Sequence, residues 1–466
     1  MELFELPATE LARQVREGRV SPTEAVESSL ERIERLDPTL NAFAVVRAEK
    51  ARAEAKELEN RGGLAELPLA GVPVAIKDEV DVAGEPTRYG SLGAGEQPAA
   101  EDDEVVRRLR AAGCIVVGKT RCPELMIWHF SDSNFGTSRN PWNLERTPGG
   151  SSGGSAAAIA AGIVPVAQAS DGGGSIRLPA AFCGLFGIKP GPGVVPYPRP
   201  YPKPGIDAWF GLAEWGPLAT TVADAALVLD VMAGTQKYRD VRPPEGRLRI
   251  ALSTRAPVVG VRPDREMRLA AERAADAMRG AGHTVVVTDP PYANNLALLY
   301  LHRSWAGVAD DAETYHLDFE RLEPRTQTIV KLGRWMMRKH PVPEGGNAAW
   351  VKRATSWFKD FDLLLTPTTA RPSVPAGGWL GKGLVGTLMA GTQAVPFTQP
   401  WNVAQFPAAS VPAGVAADGV PVGVQLVARP GGEALILSVA AQLEQLNPWP
   451  RLAPLAAASP AVVAAR

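Results

Sequence analysis

Two adjacent serines stand in a glycine-rich stretch, GGSSGGS, at residues 149–155. Such a stretch could be a flexible linker, a phosphate cradle or a turn that places a serine for chemistry. A linker is disfavoured because the stretch runs directly into SAAAIAAGIVPVAQ, a small-residue helix pattern followed by an apolar strand pattern. The nucleophile-elbow pattern GxSxG fits both Ser151 and Ser152, but the preceding residues, NLERTPGG, do not form the strand that this motif requires. Both serines therefore remain candidates for chemistry of another kind.

A literal P-loop pattern, GxxxxGK[ST], occurs elsewhere, in GCIVVGKT at residues 113–120. Its interior is a β-branched run typical of a strand, which cannot curl into a nest of backbone N–H groups. We interpret Gly113 as the end of a helix and residues 114–117 as a strand. The pattern does not predict a phosphate site.

A serine nucleophile needs a base, and the most suitable candidate is Lys77, at the end of the apolar run LPLAGVPVAIKD. Strand alternation places Lys77 on the opposite face from Val74 and Ile76. A lysine in a buried strand is costly to keep charged, and its neutral amine can accept a proton from a serine. The alternative is structural, with Lys77 ending the strand and pairing with a neighbouring carboxylate. The three C-terminal histidines lie in no glycine-marked loop, so a histidine base is not indicated.

A second glycine cluster, QASDGGGSIRLPAAFCG, places Ser175 after three glycines that follow an apolar strand pattern. Glycines allow the backbone N–H groups of residues 172–175 to converge on one point. Such convergence beside a nucleophile is what an oxyanion hole requires. The cluster therefore predicts an oxyanion hole formed by the N–H groups of Gly172, Gly173, Gly174 and Ser175.

The elements that must position these residues follow from hydrophobic patterning. Residues 6–58 carry apolar residues at helical spacing, with a helix start at Ser21 and a break at Pro38, which predicts a helical N-terminal layer. Helix patterns at 104–112 and 155–162 then alternate with strand patterns at 67–78, 114–117 and 164–168, which indicates an α/β fold. Residues 238–357 are rich in Arg and Trp and poorly patterned. Strand patterns return at 362–365 and 420–427, before a last helix at 433–445.

Composition limits the classes of partner. The 466 residues carry 49 basic and 50 acidic side chains, so there is no overall charge to attract nucleic acid or an anionic membrane, and a small-molecule substrate is favoured. The three cysteines form no CxxC pair, so neither a disulfide framework nor a metal site is indicated. No secretory signal or membrane-spanning run is present, and we predict a cytoplasmic location.

Three blocks resemble the amidase signature family: PLAGVPVAIKDEVDVAGEPTRYGS, NFGTSRNPWNLERTPGGSSGGSAAAIAAG and SDGGGSIRLPAAFCGLFGIKP. The resemblance spans nearly the whole chain and is weakest at residues 238–357. It implies an α/β fold with a large central mixed sheet, covered by helices on both faces. We expect one domain, with a helical N-terminal layer at 1–66, a signature core at 67–235, a variable substrate-facing segment at 236–360, the rest of the core at 361–450, and a tail at 451–466.

The resemblance also implies a triad of serine, cis-bonded serine and lysine. Ser175 would be the nucleophile, Ser151 the serine that relays the proton, and Lys77 the base. Supporting residues would be Ser152, which assists the relay, and the pair Asp171 and Arg177, which shapes the loop. No cofactor is implied. One departure from the family lies beside the base, where Glu79 replaces the usual Asn.

We therefore expect an amide hydrolase that acts on linear amides through an acyl-enzyme. Stretches such as PELMIWHF favour an apolar or aromatic acyl pocket, with Leu125, Met126 and Trp128 as wall residues, and esters and carbamates remain open as substrates. The alternative is the glutamine-hydrolysing A subunit of a tRNA-dependent amidotransferase. A homodimer is left open.

Overall fold

The computed structural model describes residues 2–197, 208–343 and 345–457, so residues 458–466 of the predicted tail lie outside the described residues. The α-helices are α1 (Ala8–Arg16), α2 (Pro22–Leu40), α3 (Ala48–Arg61), α4 (Glu104–Ala111), α5 (Gly153–Ala160), α6 (Arg177–Cys183), α7 (Val222–Ala233), α8 (Arg265–Gly280), α9 (Leu296–Thr314), α10 (Pro324–Lys339), α11 (Ala348–Trp357), α12 (Leu384–Ala394), α13 (Gln399–Val403) and α14 (Glu433–Leu446). The strands are β1 (Phe43–Val46), β2 (Pro73–Lys77), β3 (Ile115–Thr120), β4 (Asp132–Ser133), β5 (Gly136–Thr137), β6 (Val166–Asp171), β7 (Phe186–Lys189), β8 (Glu214–Ala219), β9 (Arg249–Leu252), β10 (Thr284–Val287), β11 (Leu363–Pro367), β12 (Ala408–Val415) and β13 (Pro421–Val427).

Within the described ranges, eleven strands form one mixed sheet in the order β1-β3-β2-β6-β8-β7-β12-β13-β11-β9-β10. Strand β2 runs parallel to both of its neighbours, β3 and β6, whereas β6 runs antiparallel to β8. The register pairs Val74 with Val166 and Ala75 with Ala167. Because β2 and β6 are parallel, their carboxyl ends lie at the same edge of the sheet.

Helices cover both faces of the sheet, as predicted. Val74 and Ile76 of β2 belong to a core that includes side chains of α4, α7, α8 and α14. Ala75 belongs to the opposite core, with side chains of α2, α3, α5 and α6. The predicted alternation along β2 is therefore confirmed, and it directs Lys77 towards the layer that contains α5 and α6.

A third core is rich in aromatic side chains and packs α9 and α11 beside the sheet, with Trp350, Phe358, Trp401 and Phe406 at its centre. Residues 238–357, which show no clear pattern in the sequence, hold β9, β10 and α8 to α11. Strand β9 has four residues, RIAL, which is too short for alternation to distinguish it from a loop.

The predicted start of the second helix is confirmed by a capping box. The Ser21 side chain accepts a hydrogen bond from the Glu24 N–H, and the Glu24 carboxylate accepts one from the Ser21 N–H. The predicted break at Pro38 was wrong, because α2 continues to Leu40. Pro38 lies in the last turn of α2, where its missing backbone N–H removes little of the helix's hydrogen bonding. The helix ends at Asn41, which adopts the left-handed conformation.

Candidate active site

Lys77 is the last residue of β2, and its side chain is completely buried. Its Nζ donates a hydrogen bond to Oγ of Ser151 at 2.7 Å and a second one to Oγ of Ser170, also at 2.7 Å. The Lys77 backbone N–H donates to the side-chain oxygen of Gln168 in the adjacent strand β6. The amine is therefore held between two serine hydroxyls, and Ser170 is a partner that the sequence analysis did not identify.

The structural alternative for Lys77, an ion pair with a neighbouring carboxylate, is observed in part. Asp78 forms its ion pair with Lys119, at 3.0 Å. Glu79 lies on the Lys77 side, with Oε1 3.4 Å from Nζ and a side chain that is only 6% exposed. Lys77 therefore contacts a buried carboxylate as well as two serines. The departure noted in the sequence places this carboxylate beside the candidate base.

Ser151 follows a cis peptide bond between Gly150 and Ser151, and both residues are buried. A Cβ at Gly150 would collide with the backbone carbonyl oxygens of Trp128 and Phe130, so only glycine fits this close approach. Ser152 follows at the start of α5, where its Oγ donates to the Ser170 carbonyl oxygen at 3.3 Å. The glycines of this stretch thus allow the two serines to pack against the end of β6.

Ser175 lies in the loop between β6 and α6 and is half-buried, whereas Ser151 and Ser152 are fully buried. Its carbonyl oxygen accepts a hydrogen bond from the Ser152 N–H at 3.3 Å. Ser151, Ser170, Ser175 and Glu79 line one small cavity. Three serines and the Lys77 amine are thus gathered at the carboxyl ends of two parallel strands.

The glycine loop before Ser175 is only partly available for an oxyanion. The Gly174 N–H donates to Oδ1 of Asp171 at 2.6 Å, so the expectation for Gly174 needs correction: its hydrogen is already used to hold the loop. In the described part of the chain, the N–H groups of Gly172, Gly173 and Ser175 have no acceptor. These three groups therefore remain as donors next to the hydroxyl of Ser175.

Asp171 and Arg177 form a buried, two-pronged ion pair, with Nε–Oδ2 and Nη2–Oδ1 distances of 2.8 Å. Arg177 also donates to the side chains of Gln425 and Asn402, each at 2.6 Å. Burial alone would raise the pKa of the Asp171 carboxyl, but the charge and hydrogen bonds of Arg177 outweigh it and hold this pKa well below its ordinary value. Asp171 is therefore a permanent anion that anchors the loop of the candidate nucleophile.

A cavity of about 110 Å³ opens at Ser175, and its walls are mainly apolar and aromatic. Met126 and Trp128 line it, as expected, but Leu125 is fully buried in the aromatic core behind them. Residues of α9 and α12 form the other walls, including Tyr300, Trp305 and Leu388. Sequence patterning could not identify these residues because their motifs carry no chemical signature.

His129 also lines this cavity and is 6% exposed. Its ring forms edge contacts with Phe130 and Trp379, and its Nε2 has no hydrogen-bond partner among the described residues. Burial, assisted by the charge of Arg325, lowers the pKa of His129 to about 4. The imidazole is therefore neutral near pH 7, and it adds no charge to the cavity wall.

Comparison with known proteins identifies the family. The Amidase family model matches residues 24–437. The protein named "Putative amidase AmiB2" of Mycobacterium tuberculosis is 47% identical over 450 residues, which cover 94% of this chain and 95% of that protein. The 6-aminohexanoate-cyclic-dimer hydrolase of Paenarthrobacter ureafaciens is 34% identical, with 95% of each chain covered.

Solved structures agree with this assignment. A 6-aminohexanoate cyclic dimer hydrolase superimposes with a TM-score of 0.85 at 32% identity, covering 99% of this chain and 100% of that one. A bacterial aryl acylamidase of the amidase signature family superimposes with a TM-score of 0.83 at 26% identity, covering 98% and 99% of the two chains. The chain belongs to the amidase signature family of hydrolases. None of the helices in the described residues is long and apolar enough to cross a membrane.

Proposed function

We propose that this amidase cleaves carboxylic amides through an acyl-enzyme on Ser175, with Ser151 and Lys77 as the proton relay. The observation that carries the proposal is the 2.7 Å hydrogen bond between Lys77 Nζ and Ser151 Oγ. Of the three triad residues, only Ser175 lines the apolar cavity that contains Met126 and Trp128. A buried amine bonded to a buried hydroxyl is suited to move a proton, and a hydroxyl facing a cavity is suited to attack a substrate.

In the acylation step, Ser175 Oγ attacks the amide carbonyl carbon and its proton passes to Ser151, whose own proton passes to Lys77. The new C–O bond moves the carbonyl π electrons onto oxygen, where the free N–H groups of Gly172, Gly173 and Ser175 can stabilise the charge. Glu79, 3.4 Å from Nζ, offers a counter-charge for the ammonium that forms on Lys77.

Collapse of the tetrahedral intermediate breaks the C–N bond. The proton returns from Lys77 through Ser151 to the leaving nitrogen, which departs as ammonia or an amine. Water then attacks the acyl-enzyme, with the same relay taking its proton, and the acid is released. Ser170 holds the amine in place through both steps by its hydrogen bond to Nζ.

The cavity walls favour apolar or aromatic acyl groups, because Met126, Trp128 and Trp305 are among the side chains that line it and none of the described residues in its lining is charged at pH 7. The names of two relatives are consistent with this preference, since one is an aryl acylamidase and another a hydrolase of a cyclic 6-aminohexanoate dimer. Esters and carbamates of similar acyl groups belong to the same proposal, because they present the same carbonyl to Ser175.

The test is to purify the chain alone and measure release of acid and amine from a panel of anilides, aliphatic amides and carbamates. Ser175→Ala should lose at least about 1,000-fold in kcat/KM while retaining the wild-type Tm. Mass spectrometry should find an acyl adduct on the peptide that contains Ser175. Ser356→Ala, an exposed serine on α11, is the matched control and should keep wild-type rates.

Two outcomes would contradict the proposal. Full activity in a folded Ser175→Ala variant would remove the nucleophile. Hydrolysis of glutamine only when partner proteins are added would favour the amidotransferase subunit, a structure of which superimposes with a TM-score of 0.75 at 27% identity.

A further inference from the structure

Tyr300, on the first turns of α9, lies against the glycine loop of the active site. A Cβ at Gly173 would collide with the Tyr300 hydroxyl oxygen, so this oxygen occupies the space where residue 173 would carry a side chain. Tyr300 and Ser175 also line the same cavity. The hydroxyl is therefore in van der Waals contact with the loop whose N–H groups surround the nucleophile.

The Tyr300 hydroxyl is also available. None of the hydrogen bonds among the described residues involves this hydroxyl, which lies in a largely apolar wall. Burial and, to a smaller extent, the negative charge of Asp171 raise the pKa of Tyr300 well above its ordinary value. The group therefore stays protonated throughout the working pH range, and a protonated phenol is a hydrogen-bond donor.

Helix α9 is fixed in position against this loop by Trp209. The indole ring packs over Gly172, where a Cβ would come within 3.1 Å of it, and against Gly307 of α9, where a Cβ would approach to 2.8 Å. Its Nε1–H donates to the Asp311 carboxylate at 2.7 Å, also on α9. Trp209 thus contacts both the helix that carries Tyr300 and the loop that carries the N–H donors.

From this geometry we infer that Tyr300 is a catalytic residue, whose hydroxyl donates a hydrogen bond to the substrate oxygen that becomes negatively charged when Ser175 attacks. The inference rests on the proposed acyl-enzyme function. Tyr300 transfers no proton: the Ser175 Oγ–C bond forms while the Oγ proton passes to Ser151 and the Ser151 proton to Lys77, the π electrons move to the carbonyl oxygen, and the hydrogen bond from the Tyr300 O–H to that oxygen shortens. The Tyr300 hydroxyl thus takes the place of the Gly174 N–H as a donor, because that N–H is hydrogen-bonded to the Asp171 carboxylate.

The role predicts a specific kinetic signature. Tyr300→Phe removes the hydroxyl and keeps the ring, so kcat should fall by about 100-fold with KM changed less than about threefold, because the bond strengthens only as charge develops. The loss should be similar for 4-nitroacetanilide and 4-nitrophenyl acetate, which share the acyl group. The affinity for phenylboronic acid, which forms a tetrahedral adduct on serine, should fall by a comparable factor.

Tyr292→Phe is the matched control, because Tyr292 also has a buried hydroxyl with no partner in the described ranges, yet it packs in the aromatic cluster of Trp350 and Trp401. Its rates should stay within about twofold of wild type. Thermal unfolding of both variants should match wild type, so that a kinetic change in Tyr300→Phe is not a folding defect.

The outcomes separate the inference from the function on which it rests. Unchanged kcat in Tyr300→Phe, or a rise in KM for one substrate alone, would overturn the role of Tyr300 and leave it as a wall residue. If Ser175→Ala remains fully active, the acyl-enzyme itself is refuted. An inactive Ser175→Ala together with a slow Tyr300→Phe and unaffected Tyr292→Phe supports both.

Discussion

Nζ of Lys77 lies 2.7 Å from Oγ of Ser170, the same distance as from Oγ of Ser151. The amine is therefore fixed between two hydroxyls from two different parts of the chain. The Ser151 hydroxyl belongs to the proposed relay. The Ser170 hydroxyl, near the end of β6, holds the amine at hydrogen-bonding distance from Ser151. This second contact assigns Ser170 a positioning role that can be tested separately from the triad.

Ser170→Ala should lower kcat by about fivefold, because losing one hydrogen bond worth about 1 kcal/mol lets the Lys77 amine leave its alignment with Ser151. KM should be nearly unchanged, since Ser170 lines the small cavity at the triad and not the main cavity. Steady-state kinetics on one anilide measures both constants. Ser170→Thr, which retains a hydroxyl, should recover part of the rate, and a failure of Ser170→Ala to change kcat would contradict the positioning role.

Lys77→Met should lower kcat/KM by about 1,000-fold or more, with a residual rate that rises with pH as hydroxide replaces the lost base. The substitution also leaves Glu79 as a buried carboxylate without its cation, which costs stability. The double variant Lys77→Met/Glu79→Gln should therefore regain Tm without regaining activity. Recovery of activity in the double variant would mean that Lys77 is needed only to neutralise Glu79.

Arg177→Met should destabilise the fold by about 3 to 5 kcal/mol, because it leaves the Asp171 carboxylate buried and unpaired. Denaturant unfolding of the purified variant measures the change. The control is Arg13→Met, which breaks exposed pairs with Glu10 and Glu17 on a side chain that is 48% exposed, and its effect on unfolding should be much smaller than that of Arg177→Met. Equal effects of the two substitutions would show that the buried pair does not stabilise the loop.

His129 should make the fold sensitive to mild acid. Its folded pKa of about 4 lies below its ordinary value, so its contribution is fully present above about pH 6.5 and is lost as pH falls through 4. The full effect of this shift is up to about 3 kcal/mol. The free energy of unfolding, measured between pH 7 and 4, should fall less steeply in His129→Phe than in wild type. Identical slopes would show that His129 is not held neutral by burial.

Local elements were largely predictable, because their signals lie within a few residues. The helix at 104–112 is observed as Glu104–Ala111, and the strand pattern ending in VAIKD is observed as β2, ending at Lys77. The P-loop match at 113–120 is the strand β3, as its β-branched interior indicated. The break at Pro38 was mispredicted because a proline in the last turn of a helix disrupts few backbone hydrogen bonds. Packing of α2 against α3 therefore outweighs the low helix propensity of proline.

The sequence by itself determined which residue types stand at positions 77, 151 and 175, and that glycines surround the two serines. It also determined that Lys77 points away from Val74 and Ile76, because alternation along a strand is local. Only the tertiary structure decided that Ser170 and Glu79 flank the amine, that the Gly174 N–H is taken by Asp171, and that Tyr300 reaches Gly173. Contacts of this kind depend on which strands are neighbours in the sheet and on how a distant helix packs over a loop. No spacing along the chain encodes them.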